Sequence, residues 1–273
     1  MTAPEREEAI DVDGRRFAWR AVGEGRPLVL LNGYSATAQD WDPTLLGALA
    51  GSFEVICPDH RGMGRSELGD PGELTIDAMA GDVERLLDAL GISSAPVAGW
   101  SMGGFVTQQL VRRAPGRVLA MVLLGTDPGG STAVHATPEA WAQLLDHSGT
   151  PREQASRLIP LLFPPAFVPA IDEAFGDLIA EARATLSSEA LVAQQRAMVA
   201  WHAGDQRAPD AATSPLTLIL HGTEDVVIPP QNADALGKVW PRREVELYEG
   251  GGHAFFALEP HRVAQRIIAF CNG

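Results

Sequence analysis

The sequence predicts an α/β fold, a mainly parallel sheet with helices on both faces, and three observations carry that expectation. Short apolar runs alternate with amphipathic stretches over the first half of the chain and again near its end. Most of those runs are continuously apolar, as strands covered on both faces are. The 273 residues, 45% of them hydrophobic, suffice to bury one large core.

Taken in order, Ala9 to Val12 and Phe17 to Val22 read as a hairpin joined through Asp13-Gly14, because Asp-Gly supplies the positive φ of a type I′ turn. Five mostly continuous apolar runs follow: Leu28 to Leu31, Phe53 to Ile56, Ala95 to Ala98, Leu119 to Leu124 and Leu216 to Leu220. Val245-Glu246-Leu247-Tyr248 alternates instead, which suits a strand near the sheet edge. Between strands, Thr75 to Leu90 places Ile76, Met79, Val83, Leu86, Leu87 and Leu90 at three- and four-residue steps, with Thr75 as N-cap and Gly91 as stop. A last helix from about His261 to Phe270 repeats the spacing with Val263, Ile267, Ile268 and Phe270.

Residues 127–212 break the alternation. Thr137-Pro138-Glu139 and Thr150-Pro151-Arg152-Glu153 each set a hydroxyl cap before a first-turn proline, and the second completes a capping box. Two further helices are predicted near Pro169 to Ala184 and Ser188 to Ala203. A helical insertion on the C-terminal side of the sheet would overhang the place where open α/β sheets bind ligands.

Charge and targeting signals narrow the function. With 21 Lys+Arg against 35 Asp+Glu the net charge is −14, which repels nucleic-acid phosphates and anionic lipid surfaces. The first residues lack a basic and then apolar leader, and no run approaches the length of a spanning helix, so a cytoplasmic chain is expected. Cys57 and Cys271 are read as reduced. Gly62-Met63-Gly64 lacks the third glycine of a dinucleotide fingerprint, and the sequence carries neither C-x-x-C nor H-E-x-x-H, so neither cofactor nor metal is expected.

The chemistry concentrates at three places. Gly99-Trp100-Ser101-Met102-Gly103 directly follows a strand and opens a helix-compatible stretch, so Ser101 is predicted on a turn too tight for a Cβ two residues to either side. A nucleophilic serine needs a base, and the base needs an acid to hold its tautomer. His253, in the glycine loop Gly250-Gly251-Gly252 flanked by Phe255-Phe256, and Asp225, after His221-Gly222-Thr223-Glu224, both leave strand ends and follow Ser101 in hydrolase order. Of the seven histidines, His60, His135, His147, His202 and His261 are read as surface or capping residues.

On these motifs the sequence resembles the α/β-hydrolase fold family, in the branch of small serine esterases, enol-lactonases and cofactor-independent haloperoxidase-like hydrolases. Asp59-His60-Arg61-Gly62-Met63-Gly64-Arg65-Ser66 is similar to that family's D-x-R-G-x-G-x-S segment. The resemblance implies a twisted, mainly parallel eight-stranded sheet flanked by helices, with a helical cap inserted after the sixth strand. Residues 1–126 and 213–273 would form the core domain and residues 127–212 the cap or lid. It also implies an oxyanion hole from the N–H groups of Tyr34 and Met102, each contributing roughly 3 kcal/mol to the transition state. Where the family often has His-Gly, this chain has Asn32-Gly33-Tyr34, so an amide would brace the loop. Some relatives place the acid after the sixth strand, where Asp127 stands; the position after the seventh strand favours Asp225.

The expected activity is hydrolysis of a small or medium carboxylic ester or lactone through an acyl-enzyme on Ser101. The same triad serves carbon–carbon bond hydrolysis, thioester cleavage and perhydrolysis, and some members of the fold are slow-turnover receptors. Gly33, Trp100, Trp141, Phe163, Phe167, Trp201 and Phe255 are the candidate pocket residues. The chain is expected to act on a small molecule as a monomer or a homodimer.

Overall fold

In the computed structural model, residues 4–204, 210 and 212–273 are described. The strands are β1 Glu5–Val12, β2 Arg15–Val22, β3 Pro27–Leu31, β4 Glu54–Pro58, β5 Ala95–Trp100, β6 Val118–Leu124, β7 Leu216–Gly222 and β8 Arg243–Tyr248. The helices are α1 Pro43–Ala50, α2 Ile76–Ala89, α3 Met102–Arg113, α4 Pro138–Leu144, α5 Pro151–Leu162, α6 Val168–Ala184, α7 Ser188–Ala203, α8 Asn232–Val239, α9 Phe255–Leu258 and α10 Pro260–Asn272.

All eight strands form one sheet in the order β1-β2-β4-β3-β5-β6-β7-β8. β1 and β2 pair antiparallel, β2 joins β4 antiparallel, and the remaining neighbours are parallel. The Asp13-Gly14 turn has φ of 54° and 77°, the positive values that the dipeptide was expected to supply. Strand pleating sends alternate residues to opposite faces. Val29 and Leu31 therefore join Met79, Val83, Leu87 and Leu110 on one side, while Leu28 and Leu30 join Leu45, Leu49, Val263 and Ile267 on the other. This double covering is why the central strands read as unbroken apolar runs.

The predicted caps are present: Thr75 accepts from Ala78 N, Thr137 from Ala140 N, and Thr150 and Glu153 form the reciprocal box. α10 runs further than expected and buries Val263, Ala264, Ile267 and Cys271 most deeply, leaving Ile268 and Phe270 only partly covered. β8 lies at the sheet edge, where Glu246 meets Arg262 and Arg266 of α10 while Val245 and Leu247 face solvent. Cys57 and Cys271 are both free and buried. Among the described residues no helix is long and apolar enough to cross a membrane.

Among the described residues, the α-helices α4 to α7 stand between β6 and β7, where the helical insertion was expected. α5 packs along α6, and α7 seats Ala190, Ala197, Met198 and Trp201 against the main core. The insertion as read from the sequence includes 205–209 and 211, which lie outside the described residues.

Candidate active site

The site begins where β5 meets α3. Ser101, the single residue between them, has φ 54° and ψ −121°, a conformation that a non-glycine residue adopts only when its surroundings enforce it. Those surroundings are tight. A Cβ on Gly99 would come 2.2 Å from the Gly103 carbonyl oxygen, and one on Gly103 would come 2.1 Å from the Leu31 carbonyl oxygen. Only glycine lets β5 turn into α3 this close to β3. The Ser101 amide donates to the Leu124 carbonyl at 3.0 Å, and Thr126 Oγ1 donates to the Ser101 carbonyl at 2.7 Å, so the turn is held from β6 as well.

Asp225 and His253 arrive from the ends of β7 and β8. Asp225 Oδ1 accepts the amides of Val227 and Ile228 at 2.9 and 2.8 Å, and Oδ2 accepts from His253 Nδ1 at 2.7 Å. His221 Nε2 donates to the Ile228 carbonyl at 2.8 Å and lies 3.4 Å from the same Oδ2. Burial by itself raises the Asp225 carboxyl, but the charges and hydrogen bonds of His253 and His221 outweigh it and hold the group down at about 2. A carboxylate can only accept, so Nδ1 carries the proton that faces Asp225, and in the neutral tautomer of the ring Nε2 is the acceptor. His253 packs on Trp100 with ring centroids 5.1 Å apart, and Trp100 Nε1 donates to its carbonyl at 3.0 Å. Ser101 and His253 line the same cavity.

Asp127, the alternative acid, points elsewhere. Its Oδ2 lies 3.0 Å from His202 Nε2 and its Oδ1 accepts from Gly129 N at 2.7 Å. Glu224 is exposed.

The loop after β3 is shaped by Asn32, whose side chain accepts from Gly33 N at 3.0 Å and donates to the Thr37 carbonyl. Ser35 N donates to Gln194 Oε1 at 3.0 Å. Gly33 carries the loop across the elbow: a Cβ there would lie 3.2 Å from both Ser101 Cβ and Trp100 Cε3. Tyr34 therefore follows directly on the residue that touches Ser101, and Met102 N begins α3, where the helix dipole favours negative charge. The Met102 side chain is fully buried in the core, so only its backbone is available to the site.

His60 was expected at the surface and is instead buried, with Nε2 donating to the Asn32 carbonyl at 3.1 Å. Burial pushes its imidazole down to about 4, against the opposing pull of that hydrogen bond and of Asp82. Because the unfolded value is near 6.5, the stabilisation from neutral His60 is complete above pH 6.5 and is lost as pH falls toward 4. The loss is on the order of 3 kcal/mol. Urea unfolding of wild type and His60→Asn from pH 7.5 to 4 checks this: the stability gap should narrow as the pH drops. A gap constant across that window would contradict it.

The cavity has a volume of about 1080 Å³ and largely apolar walls. Tyr34 lines it, as do Trp100, Trp141 and Phe163 of the candidate pocket residues. Gly33, also a candidate, does not line it and lies instead against Ser101 and Trp100, which do. Three aromatic expectations are corrected. Phe167 sits just before α6 and is 45% exposed. Trp201 turns into the core and stacks on Phe105, centroids 5.3 Å apart. Phe255 packs on Tyr248, and its neighbour Phe256 takes the cavity wall beside Trp41 and Trp100, since successive helical residues point about 100° apart.

The histidines depart furthest from expectation. His135 and His202 line the cavity with their rings 4.9 Å apart, and His147 Nε2 is 2.6 Å from the Tyr34 hydroxyl; His135, at the cavity rim, and His261 are exposed as read. Arg183, also on the wall, was missed altogether. Its one signal was its place seven residues after Gly176, on the inward stripe of α6.

A strained serine elbow, a carboxylate-held histidine and a covered cavity on a mainly parallel eight-stranded sheet together define a protein of the nucleophile-elbow α/β class. The family model for the alpha/beta hydrolase fold matches residues 26–260, and the chain belongs to that family. Among relatives it is 29% identical over 255 residues to RutD of Azorhizobium caulinodans, named as a carbamate hydrolase, covering 92% of each chain. It superposes on a serine hydrolase from Cycloclasticus zankles with TM-score 0.84 and 24% identity, covering 99% of both chains. An esterase from Rhodococcus sp. ECU1013 gives TM-score 0.78 and 25% identity, covering 100% of this chain and 99% of the other.

Proposed function

We propose that this chain is a serine hydrolase that cleaves a small or medium carboxylic ester or lactone through an acyl-enzyme on Ser101. The observation that carries the reading is the 2.7 Å contact of His253 Nδ1 with a buried Asp225, which leaves Nε2 free on the cavity that Ser101 also faces. His253 takes the hydroxyl proton as Ser101 Oγ attacks the carbonyl carbon, and passes it to the leaving alkoxide as the C–O bond breaks. It then deprotonates a water that releases the acid and restores Ser101. Asp225 stabilises the imidazolium formed in both halves, and the amides of Tyr34 and Met102 receive the oxyanion. In this reading residues 127–212 act as a cap over the core formed by 1–126 and 213–273, and Trp141 and Phe163 contact substrate from it.

The likeness to an esterase at 25% identity supports an acyl substrate, and RutD's name adds a carbamate to the compounds worth testing. Intact-mass spectrometry after exposure to a fluorophosphonate is the direct test. One adduct on wild type, absent from Ser101→Ala, is expected, followed by turnover of short esters and lactones ahead of an aryl carbamate. An adduct that persists in Ser101→Ala would place the nucleophile elsewhere.

A further inference from the structure

Arg183 is a buried cation on a largely apolar cavity wall, 8% exposed. Its Nε donates to Gln154 Oε1 at 3.1 Å, its Nη2 to His147 Nδ1 at 2.7 Å, and its Nη1 reaches Ser35 Oγ at 3.5 Å. All three partners are neutral, and a guanidinium has five N–H donors. Arg61, equally buried, is by contrast paired with the Asp82 carboxylate at 2.8 Å. The carboxylates around the same cavity are engaged or exposed. Asp40 favours the Arg183 charge from a distance but makes no ion pair with it and is held by Thr37, Asp42 caps α1, Asp127 faces His202, and Glu181 is solvent-exposed. A charge withdrawn from water without a counter-ion is costly, and a ligand that brings the counter-ion removes the cost.

The neighbouring hydrogen bonds point the same way. Arg183 can only donate, so His147 Nδ1 must accept, and the proton of the neutral ring sits on Nε2. Burial and the Arg183 charge both lower the His147 imidazole, which keeps it neutral. Nε2–H therefore donates to the Tyr34 oxygen at 2.6 Å, and the Tyr34 hydroxyl proton is left to donate into the cavity. Burial pushes that phenol up to about 12, so it remains a donor through the neutral range.

We propose that Arg183 and the Tyr34 hydroxyl form an anion subsite in the cavity wall that takes a carboxylate borne by the substrate. It lies one tyrosine side chain away from the amide assigned to the oxyanion. This deepens the hydrolase reading and rests on it for the form of the substrate: an ester or lactone that is also an acid.

The test uses matched pairs. Monoethyl adipate and ethyl hexanoate share chain length and leaving group and differ in a terminal carboxylate; 4-acetoxybenzoate and its methyl ester move the charge to the leaving-group side. Wild type should show kcat/KM about 10-fold or more higher for the charged member of one pair, and Arg183→Gln should abolish that preference. Circular dichroism verifies that the variant is folded; if it is not, Tyr34→Phe, which removes only the hydroxyl, should reduce the same ratio. Equal rates within both pairs, or a preference that survives Arg183→Gln, overturn the subsite and leave the hydrolase reading standing. If Ser101 takes no fluorophosphonate and neither pair turns over, the hydrolase reading falls and calorimetry with monoethyl adipate decides the subsite. Binding weakened about 10-fold or more by Arg183→Gln supports it, and absence of binding to wild type overturns it.

Discussion

Ser101→Ala is expected to lower kcat/KM on a short ester by about 10⁴- to 10⁶-fold while the protein stays folded. The substitution removes the atom proposed to bond to the acyl carbon and leaves everything that shapes the elbow. Gly99, Gly103 and the bonds from Leu124 and Thr126 involve the backbone of residue 101 and do not depend on its hydroxyl. Alanine meets the same backbone strain at φ 54° that serine does, so thermal unfolding should shift little. Residual activity, if measurable, would reflect the oxyanion amides and substrate binding alone, which in comparable triads retain about 10³- to 10⁴-fold over water. Turnover near the wild-type rate would refute the acyl-enzyme reading.

The second large effect is expected at Asp225. Asp225→Asn should reduce kcat/KM by roughly 10⁴-fold, and the local hydrogen bonds say why. Oδ1 accepts two backbone amides, from Val227 and Ile228, so the amide oxygen of asparagine must occupy that position. Its NH₂ group then takes the place of Oδ2 and faces His253 Nδ1 as a donor. Nδ1 is forced to accept, the ring proton moves to Nε2, and the base that Ser101 requires is lost. Asp127→Asn acts on His202 instead and should change the rate by less than about 10-fold. Steady-state kinetics on the two variants decide the matter: an active Asp225→Asn beside an inactive Asp127→Asn would move the acid to the end of β6.

What was legible in the sequence is what short-range chemistry controls. The Asp13-Gly14 turn, the caps at Thr75, Thr137 and Thr150, and the doubly buried strands follow from backbone preference and hydrophobic period, each confined to a few residues. Ser101, Asp225 and His253 were readable for a related reason, since each sits within a few residues of a strand end and parallel strands bring those ends to one edge of the sheet.

The cavity wall follows a different logic. Phe255 and Phe256 are chemically identical neighbours, and only the packing of α9 against Tyr248 and Trp41 decides which one meets the cavity. Trp201 and His202 divide in the same way, the first stacked on Phe105 in the core and the second turned to Asp127. His60 looked like a surface residue because nothing next to it in the chain announces the Asn32 carbonyl that it supports. Tyr34, His147 and Arg183 come from a loop after β3, a turn before α5 and the end of α6. No spacing in the sequence links those three positions. The sequence by itself determined the sheet, the helix caps and the three residues proposed for catalysis, because these depend on local conformation and on strand ends that the topology brings together. The faces of the cavity and its cation were decided only by the tertiary structure, because they depend on side-chain directions set by contacts between elements distant in the chain.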